Sequence, residues 1–420
     1  MTPQTSRAKK LFAKLLLITL GFLFGATVAE VALRFAGYSA PDFYSIDYSR
    51  GYALRPKAEG WFRREGRSYV RINSDGLRDR EHSITKPQNV VRIAVLGDSY
   101  PEALSVSTEE AFWSVMEREL QRCDAFQGKQ VEVLNFGVSG YGTAQELLTL
   151  REQVWKYSPD IVMLAVTTNN DVIDNSRLLK KIDKIPYFTY QNNRLTLDNS
   201  FRSSRAFLGS QSQMNRFGRW LRARSRLVQA AVEGHRGFKI WLASWRAKPE
   251  QPQPASATQE KNLAAAPRKK DLLLLAEELG TEHLVYLEPV NALWNDAWRV
   301  TEGLIVAMRE EVSGHQAKFV VVTLSNGPQV HPDPKLREEF KRRLGITDLF
   351  YPDNRIKELC LRERIPVLTL APELQGFAEL NKISLHGFGS NLGNGHWNAI
   401  GHRVAGELIA KKLCAGSLLK

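Results

Sequence analysis

A short apolar run, broken only by Arg92, extends from Val91 through Leu96 and stops at Gly97-Asp98-Ser99-Tyr100. A run this short, rich in β-branched residues and closed by turn formers, reads as a parallel strand buried on both faces. The stretch behind it, Thr108 to Leu120, opens on an N-cap threonine and two acids and carries apolar residues at helical spacing. Ser99 is thereby placed just past the carboxyl end of a strand and ahead of a helix. In open α/β sheets that edge is where ligands bind. Alone, Gly-Asp-Ser is an ordinary turn tripeptide, so the rest of the chain decides its meaning.

Gln130–Asn135 reads as a second strand and runs into Phe136-Gly137-Val138-Ser139-Gly140-Tyr141-Gly142. Three glycines permit a tight turn that presents backbone N–H groups. A helix is expected from about Ala144 to Trp155. Pro159–Val166 is a third apolar strand and ends in Thr167-Thr168-Asn169-Asn170-Asp171. Each strand end offers one kind of chemistry: a hydroxyl, a glycine N–H, a side-chain amide. Adjacent parallel strands would bring them together. A hydroxyl nucleophile beside two neutral donors describes an acyl-transfer site with an oxyanion hole. A base stands far along the chain at Asn394-Gly395-His396-Trp397, ahead of a C-terminal helix expected from Ala399 to Leu413. A histidine there can reach the same sheet edge and serve Ser99.

These four stretches, in this order, resemble the SGNH (GDSL) hydrolase family. Ser99 in Gly97-Asp98-Ser99 falls on the family's nucleophile and Gly140 in Gly137-Val138-Ser139-Gly140 on its oxyanion glycine. Asn170 in Asn170-Asp171 falls on its oxyanion asparagine, and His396 on its base. The resemblance covers about residues 90–175 and 280–415. It implies a flavodoxin-like three-layer α/β/α sandwich around a mostly parallel five-stranded sheet, with Lys318–Leu324 and Ile365–Leu370 as the fourth and fifth strands. It also implies an acyl-enzyme on Ser99, with the oxyanion held by the Ser99 and Gly140 N–H groups and the Asn170 amide. Two positions depart from the family pattern. Thr168 stands where the third block usually opens on glycine. Gly393 and Asn394 stand where an aspartate is usual, two or three residues before the histidine. That carboxylate orients the imidazole and stabilises its charged form; an amide in its place costs about 10⁴ in rate in serine proteases. The sequence therefore names no catalytic acid. It leaves a Ser–His dyad, an acid borrowed from elsewhere in the chain, or a weakened site.

At the N-terminus, Arg7, Lys9, Lys10 and Lys14 precede an apolar run from Leu15 to Ala29. Extended from Leu11 to Leu33, with Lys14 and Arg34 snorkelling, the run can span a bilayer. Thr27-Val28-Ala29 is a poor cleavage site. Residues 1–36 are therefore read as an uncleaved, single-pass anchor in the cell inner membrane, with the rest of the chain on the periplasmic side. Residues 37–90 read as a small β-rich extension; Arg78 and Asp79 there could approach a site, but read rather as a structural ion pair of the kind common at surfaces. The hydrolase fold is expected over 91–175 and 271–420, interrupted by an insertion at 176–270. Within the insertion, Gln191-Asn192-Asn193 suggests a hairpin. Asn215–Ala231 reads as one basic amphipathic helix: Phe217, Trp220, Leu221, Leu227 and Val228 share a face, ringed by Arg216, Arg219, Arg222, Arg224 and Arg226. It could lie on an anionic bilayer, cap the site over an anionic glycan, or pack on the domain with a solvated arginine face. Pro249–Pro267 lacks pattern and reads as a linker.

The net charge of +13 points to an anionic neighbour. No zinc-finger spacing, RNA-binding motif or basic zipper accompanies it, which argues against nucleic acid. The three cysteines lack metal-type spacing, and neither a metal nor a cofactor is suggested. In a flavodoxin-like order the first and last helices share one face of the sheet. Cys123 and Cys414 at their ends are expected to bridge in an oxidising compartment, leaving Cys360 free. His402 is expected to pack within the last helix, His386 to be solvated in a glycine-rich loop, and Asp98 to fix its own turn. The functional expectation is an envelope-facing serine esterase acting on an acylated glycan or lipid, the basic charge favouring an anionic one. O-acyl transfer to an exopolysaccharide and non-catalytic glycan binding are the alternatives.

Overall fold

The computed structural model describes residues 7–246, 275–276, 278–289, 291–416 and 418, so the stretch Pro249–Pro267 lies outside the described residues. The chain forms two compact units, Met1–Asp42 with Ser212–Ala255, and Phe43–Gln211 with Ser256–Lys420. The smaller opens with helix α1 (Arg7–Phe35), of which Lys9–Phe35 is long and apolar enough to cross a membrane.

In the larger unit two short antiparallel ladders come first, β1 (Tyr44–Asp47) with β2 (Gly51–Leu54) and β3 (Glu59–Phe62) with β4 (Ser68–Arg71). The central sheet takes β5 (Val90–Gly97), β6 (Gln130–Asn135) and β7 (Ile161–Thr167). After the β8 (Tyr187–Gln191) and β9 (Arg194–Asp198) hairpin, β10 (Lys318–Leu324) and β11 (Val367–Thr369) complete it. The order is β11-β10-β7-β5-β6, every pair parallel. This is the doubly wound order, whose switch point falls between β5 and β7. The helices up to the smaller unit's second segment are α2 (Ser99–Glu102), α3 (Phe112–Leu120), α4 (Thr143–Glu152), α5 (Asp171–Asp174), α6 (Arg177–Lys180) and α7 (Arg205–Ser210).

Successive strand residues point to opposite faces, and each face has its own core. Ala94, Leu96, Val162 and Leu164 pack against Trp298 and Leu304 of the helix Ala292–Gly314. Ile93, Val95, Met163 and Ala165 pack against Phe112 and Met116 of α3 and Val404 and Ile409 of the helix Ala399–Cys414. The result is a three-layer α/β/α sandwich on a five-stranded parallel sheet. Helix α3 and the last helix share a face, and Cys123 is bridged to Cys414 with Cα atoms 5.9 Å apart, while Cys360 is free and buried.

Two local expectations are corrected. The helix expected over Asn215–Ala231 is two helices, α8 (Gln213–Arg224) and α9 (Arg226–Arg246), broken at an extended Ser225. The Ser225 hydroxyl accepts from the Val228 N–H at 3.1 Å and donates to Glu30 at 2.9 Å. Serine competes with helix ladders in this way and favours caps over interiors. Arg78 and Asp79 are not a surface pair. Arg78 is fully buried and donates to the Glu102 and Val106 carbonyls at 2.9 and 2.5 Å, while Asp79 accepts from the Asn135 N–H at 2.9 Å. Buried polar groups must find partners, and these two find them on the elements that carry the strand ends.

The Cys123–Cys414 bridge spans 291 residues and constrains the unfolded chain. Replacing both cysteines with serine is expected to remove about 2–4 kcal/mol of stability, read as a lower urea midpoint.

Candidate active site

Ser99 opens α2 just past the end of β5, so its N–H lies outside the helix ladder. Asp98 caps that turn, accepting from the Tyr100 N–H at 3.2 Å. It does more than fix its own turn: it also accepts from the Thr167 hydroxyl at 2.7 Å and the Asn170 amide at 3.1 Å. These two bonds tie the end of β5 to the end of β7, its neighbour across the switch point.

His396 Nε2 lies 2.8 Å from Ser99 Oγ. Its Nδ1 lies 2.5 Å from Glu65 Oε2, and its backbone N–H donates to Glu65 Oε1 at 2.8 Å. The three side chains form one hydrogen-bonded line, and a carboxylate stands where the residues before His396 provide none. Glu65 sits in the turn between β3 and β4, in the N-terminal extension. Neighbouring contacts fix that turn: the Ser68 hydroxyl donates to the Leu104 carbonyl at 2.5 Å, and Trp61 meets Tyr69 edge to face across the ladder. Gly66 has φ +67°, and a Cβ there would lie 2.3 Å from the Ser105 carbonyl, so glycine is required for the close approach.

The electrostatics follow. Burial alone would lower the His396 pKa, but the Glu65 hydrogen bond and charge outweigh it and hold it above the ordinary histidine value. Burial alone would raise Glu65, and the bonds from His396 hold it below the ordinary carboxylate value. The pair suits an imidazole that must accept and keep a proton during reaction.

The candidate oxyanion donors lie along the same edge. Gly140 has φ +77°, a conformation that glycine adopts without cost. The Ser139 carbonyl accepts from the Tyr52 hydroxyl at 2.8 Å, and the Ser139 N–H donates to Glu102 at 2.7 Å. In a trans peptide the carbonyl and the next N–H point in opposite directions, so Tyr52 sets the direction of the Gly140 N–H. Glu102 is fully buried and also receives the Ser139 and Tyr44 hydroxyls. Burial pushes its carboxyl up despite these bonds. Asn170 lines a cavity of about 620 Å³ together with Tyr100, Asn326, Asn394 and His396. Thr168, at the departure from the family glycine, is buried and accepts from the Asn326 amide at 3.0 Å.

His386 and His402 are held in structural roles. His386 is buried, not solvated: its Nδ1 pairs with the Gly395 carbonyl at 2.7 Å and its Nε2 with Ser325 Oγ at 3.0 Å. Ser325 Oγ also accepts from the Trp397 indole at 2.8 Å. This network grips both residues flanking His396, and burial pushes His386 down to about 4. His402 is buried, stacked on Phe112, and accepts from the Phe112 N–H. No group of three or more potential metal ligands occurs among the described residues.

Sequence reasoning missed Glu65 and Glu102. The signal for Glu65 is a single acid in the basic turn Arg63-Arg64-Glu65-Gly66-Arg67, and for Glu102 an acid one turn after the serine.

No family model and no curated protein matches this chain. Solved structures with a similar fold include the acetyl xylan esterase AlAXEase, at 13% identity over 78% of this chain and 99% of that one, TM-score 0.34. Another is a catalytic mutant of Axe2, an acetylxylan esterase from Geobacillus stearothermophilus, at 11% identity over 78% and 94%, TM-score 0.36. A third is a putative lipolytic protein of the G-D-S-L family from Desulfitobacterium hafniense, at 11% identity over 76% and 98%, TM-score 0.32. At these identities the likeness is one of chain architecture.

Glu65→Gln is expected to lower kcat by about 10³–10⁴. A base must be neutral to accept a proton, so in the native protein the acidic limb of the kcat/KM profile is expected above pH about 6.5, and in Glu65→Gln it shifts down. Asn170→Ala is expected to cost about 10²–10³ in kcat with little change in KM. Steady-state hydrolysis of a p-nitrophenyl ester across pH measures all three.

Proposed function

We propose that this chain is an SGNH-type serine esterase that removes O-acyl groups from a carbohydrate. The observation that carries this reading is the continuous Ser99–His396–Glu65 hydrogen-bond line, at 2.8 and 2.5 Å. Ser99 Oγ attacks the ester carbonyl while His396 Nε2 takes its proton. The Ser99 and Gly140 N–H groups and the Asn170 amide receive the oxyanion. His396 then protonates the departing sugar oxygen, and an acyl-enzyme remains on Ser99. Water attacks the acyl carbonyl next, giving its proton to His396; the imidazolium returns that proton to Ser99 Oγ as the serine–acyl bond breaks and the carboxylic acid leaves. Glu65 orients the imidazole and offsets its charge throughout.

The cavity beside His396 supports a hydroxyl-rich substrate. Asn169, Asn170, Asn326 and Asn394 line it, and amides both donate to and accept from hydroxyls. The Asn169 side-chain oxygen is buried without a hydrogen-bond partner among the described residues. In the same reading α1 anchors the chain in a membrane and the larger unit works on its extracytoplasmic side. Its length and apolarity support the anchor, and the Cys123–Cys414 bridge supports an oxidising compartment.

A fluorophosphonate probe followed by intact-mass spectrometry tests the nucleophile. One adduct is expected on the native protein and none on Ser99→Ala. Acetate release from an acetylated oligosaccharide should follow the same pattern. A folded native protein that takes no adduct would contradict the esterase reading and favour a binding protein.

A further inference from the structure

The α8–α9 hairpin has no part in the esterase chemistry, yet it carries an unusual surface. Phe217, Phe238, Trp241 and Trp245 are each more than half exposed, and Trp220 nearly so. Their rings stack on one another along each helix. Phe217 and Trp220 stack at 5.7 Å, Phe238 and Trp241 at 5.7 Å, and Trp241 and Trp245 at 6.4 Å. Arg224 lies over Trp220 at 4.8 Å. Residues 212–246 hold eight Lys or Arg against one acid, Glu233. Exposed aromatic patches of this size mark interaction sites, and the surplus of positive charge selects an anionic partner.

The attachment of the hairpin says which partner. The Glu30 carboxylate accepts the Arg226 and Leu227 N–H groups at 3.0 and 2.9 Å and the Ser225 hydroxyl at 2.9 Å. Arg34 donates to the Arg224 carbonyl at 2.6 Å and pairs with Glu30 at 2.7 Å. An acid thus meets the N-terminus of α9 and a base the C-terminus of α8, each favoured by the helix dipole. Both clamps sit in the last turns of α1, where its apolar run gives way to charge. If α1 spans a bilayer, that level is the headgroup layer, where tryptophan and arginine concentrate.

We propose that the α8–α9 hairpin is an interfacial anchor that docks on the anionic phospholipid surface of the membrane α1 crosses. Its aromatic rings enter the headgroup and upper acyl region, and its arginines engage lipid phosphates. This rests on the anchor reading of α1, but not on the esterase reading.

The test uses the full chain reconstituted into phosphatidylcholine–phosphatidylglycerol vesicles, with and without bromine on the upper acyl chain. Subtracting the emission of W220F/W241F/W245F from that of the native protein isolates the hairpin's fluorescence, since phenylalanine keeps the apolar face. The expected result is flotation with the vesicles and loss of most of that emission in brominated lipid, with a smaller loss in phosphatidylcholine alone. Flotation with unquenched hairpin emission would overturn the docking and leave the anchor standing. An unquenched emission that shifts on adding an anionic polysaccharide would do the same and reassign the face to glycan. Failure to float would overturn both.

Discussion

The site depends on one contact between distant parts of the chain, the Glu65 carboxylate on the His396 imidazole, 331 residues apart. A histidine that takes a proton in a partly buried position needs an opposite charge close by to offset desolvation. Sequence neighbours of His396 offer only Gly393 and Asn394. The carboxylate comes instead from an extension outside the sandwich, so the extension must be held as firmly as the sheet. Its core of Phe43, Leu54, Val70 and Ile72 takes in Leu104 from beyond the Ser99 turn and Val138 and Tyr141 from the glycine loop. The packing that folds the extension therefore also sets the distances between the candidate catalytic groups.

The same logic runs through the rest of the edge. Asp98 joins the ends of β5 and β7 through Thr167 and Asn170. Glu102 joins the turn after β5 to the loop after β6 through Ser139. His386, through Gly395, and Ser325, through Trp397, fix the backbone on either side of His396. Each bond is made by a buried group with few alternatives, which is how a site becomes preorganised.

The sheet was legible because its strands are short apolar runs that end abruptly, a signal carried by local residues alone. Ser99, Gly140 and Asn170 could be located for the same reason, each standing at such an end. Glu65 could not, because nothing within its own turn says that a histidine lies 331 positions on. His386 looked solvated because glycines surround it in sequence; its burial comes from Ser325 and Trp397, contacts no local pattern encodes. The break at Ser225 was hidden likewise, since its partner Glu30 belongs to α1. What the sequence conceals throughout is pairing at a distance, whereas periodicity and strand ends stay visible.

The measurement that bears most directly on this account is the low-field proton NMR spectrum of histidine-labelled protein. A proton held between His396 Nδ1 and Glu65 should give a resonance far downfield of the amides, titrating above the ordinary histidine pKa and lost in Glu65→Gln while the amide spectrum stays folded. A downfield resonance that persists in Glu65→Gln, or none in the native protein at any pH, would contradict the claim that Glu65 is the partner of the base.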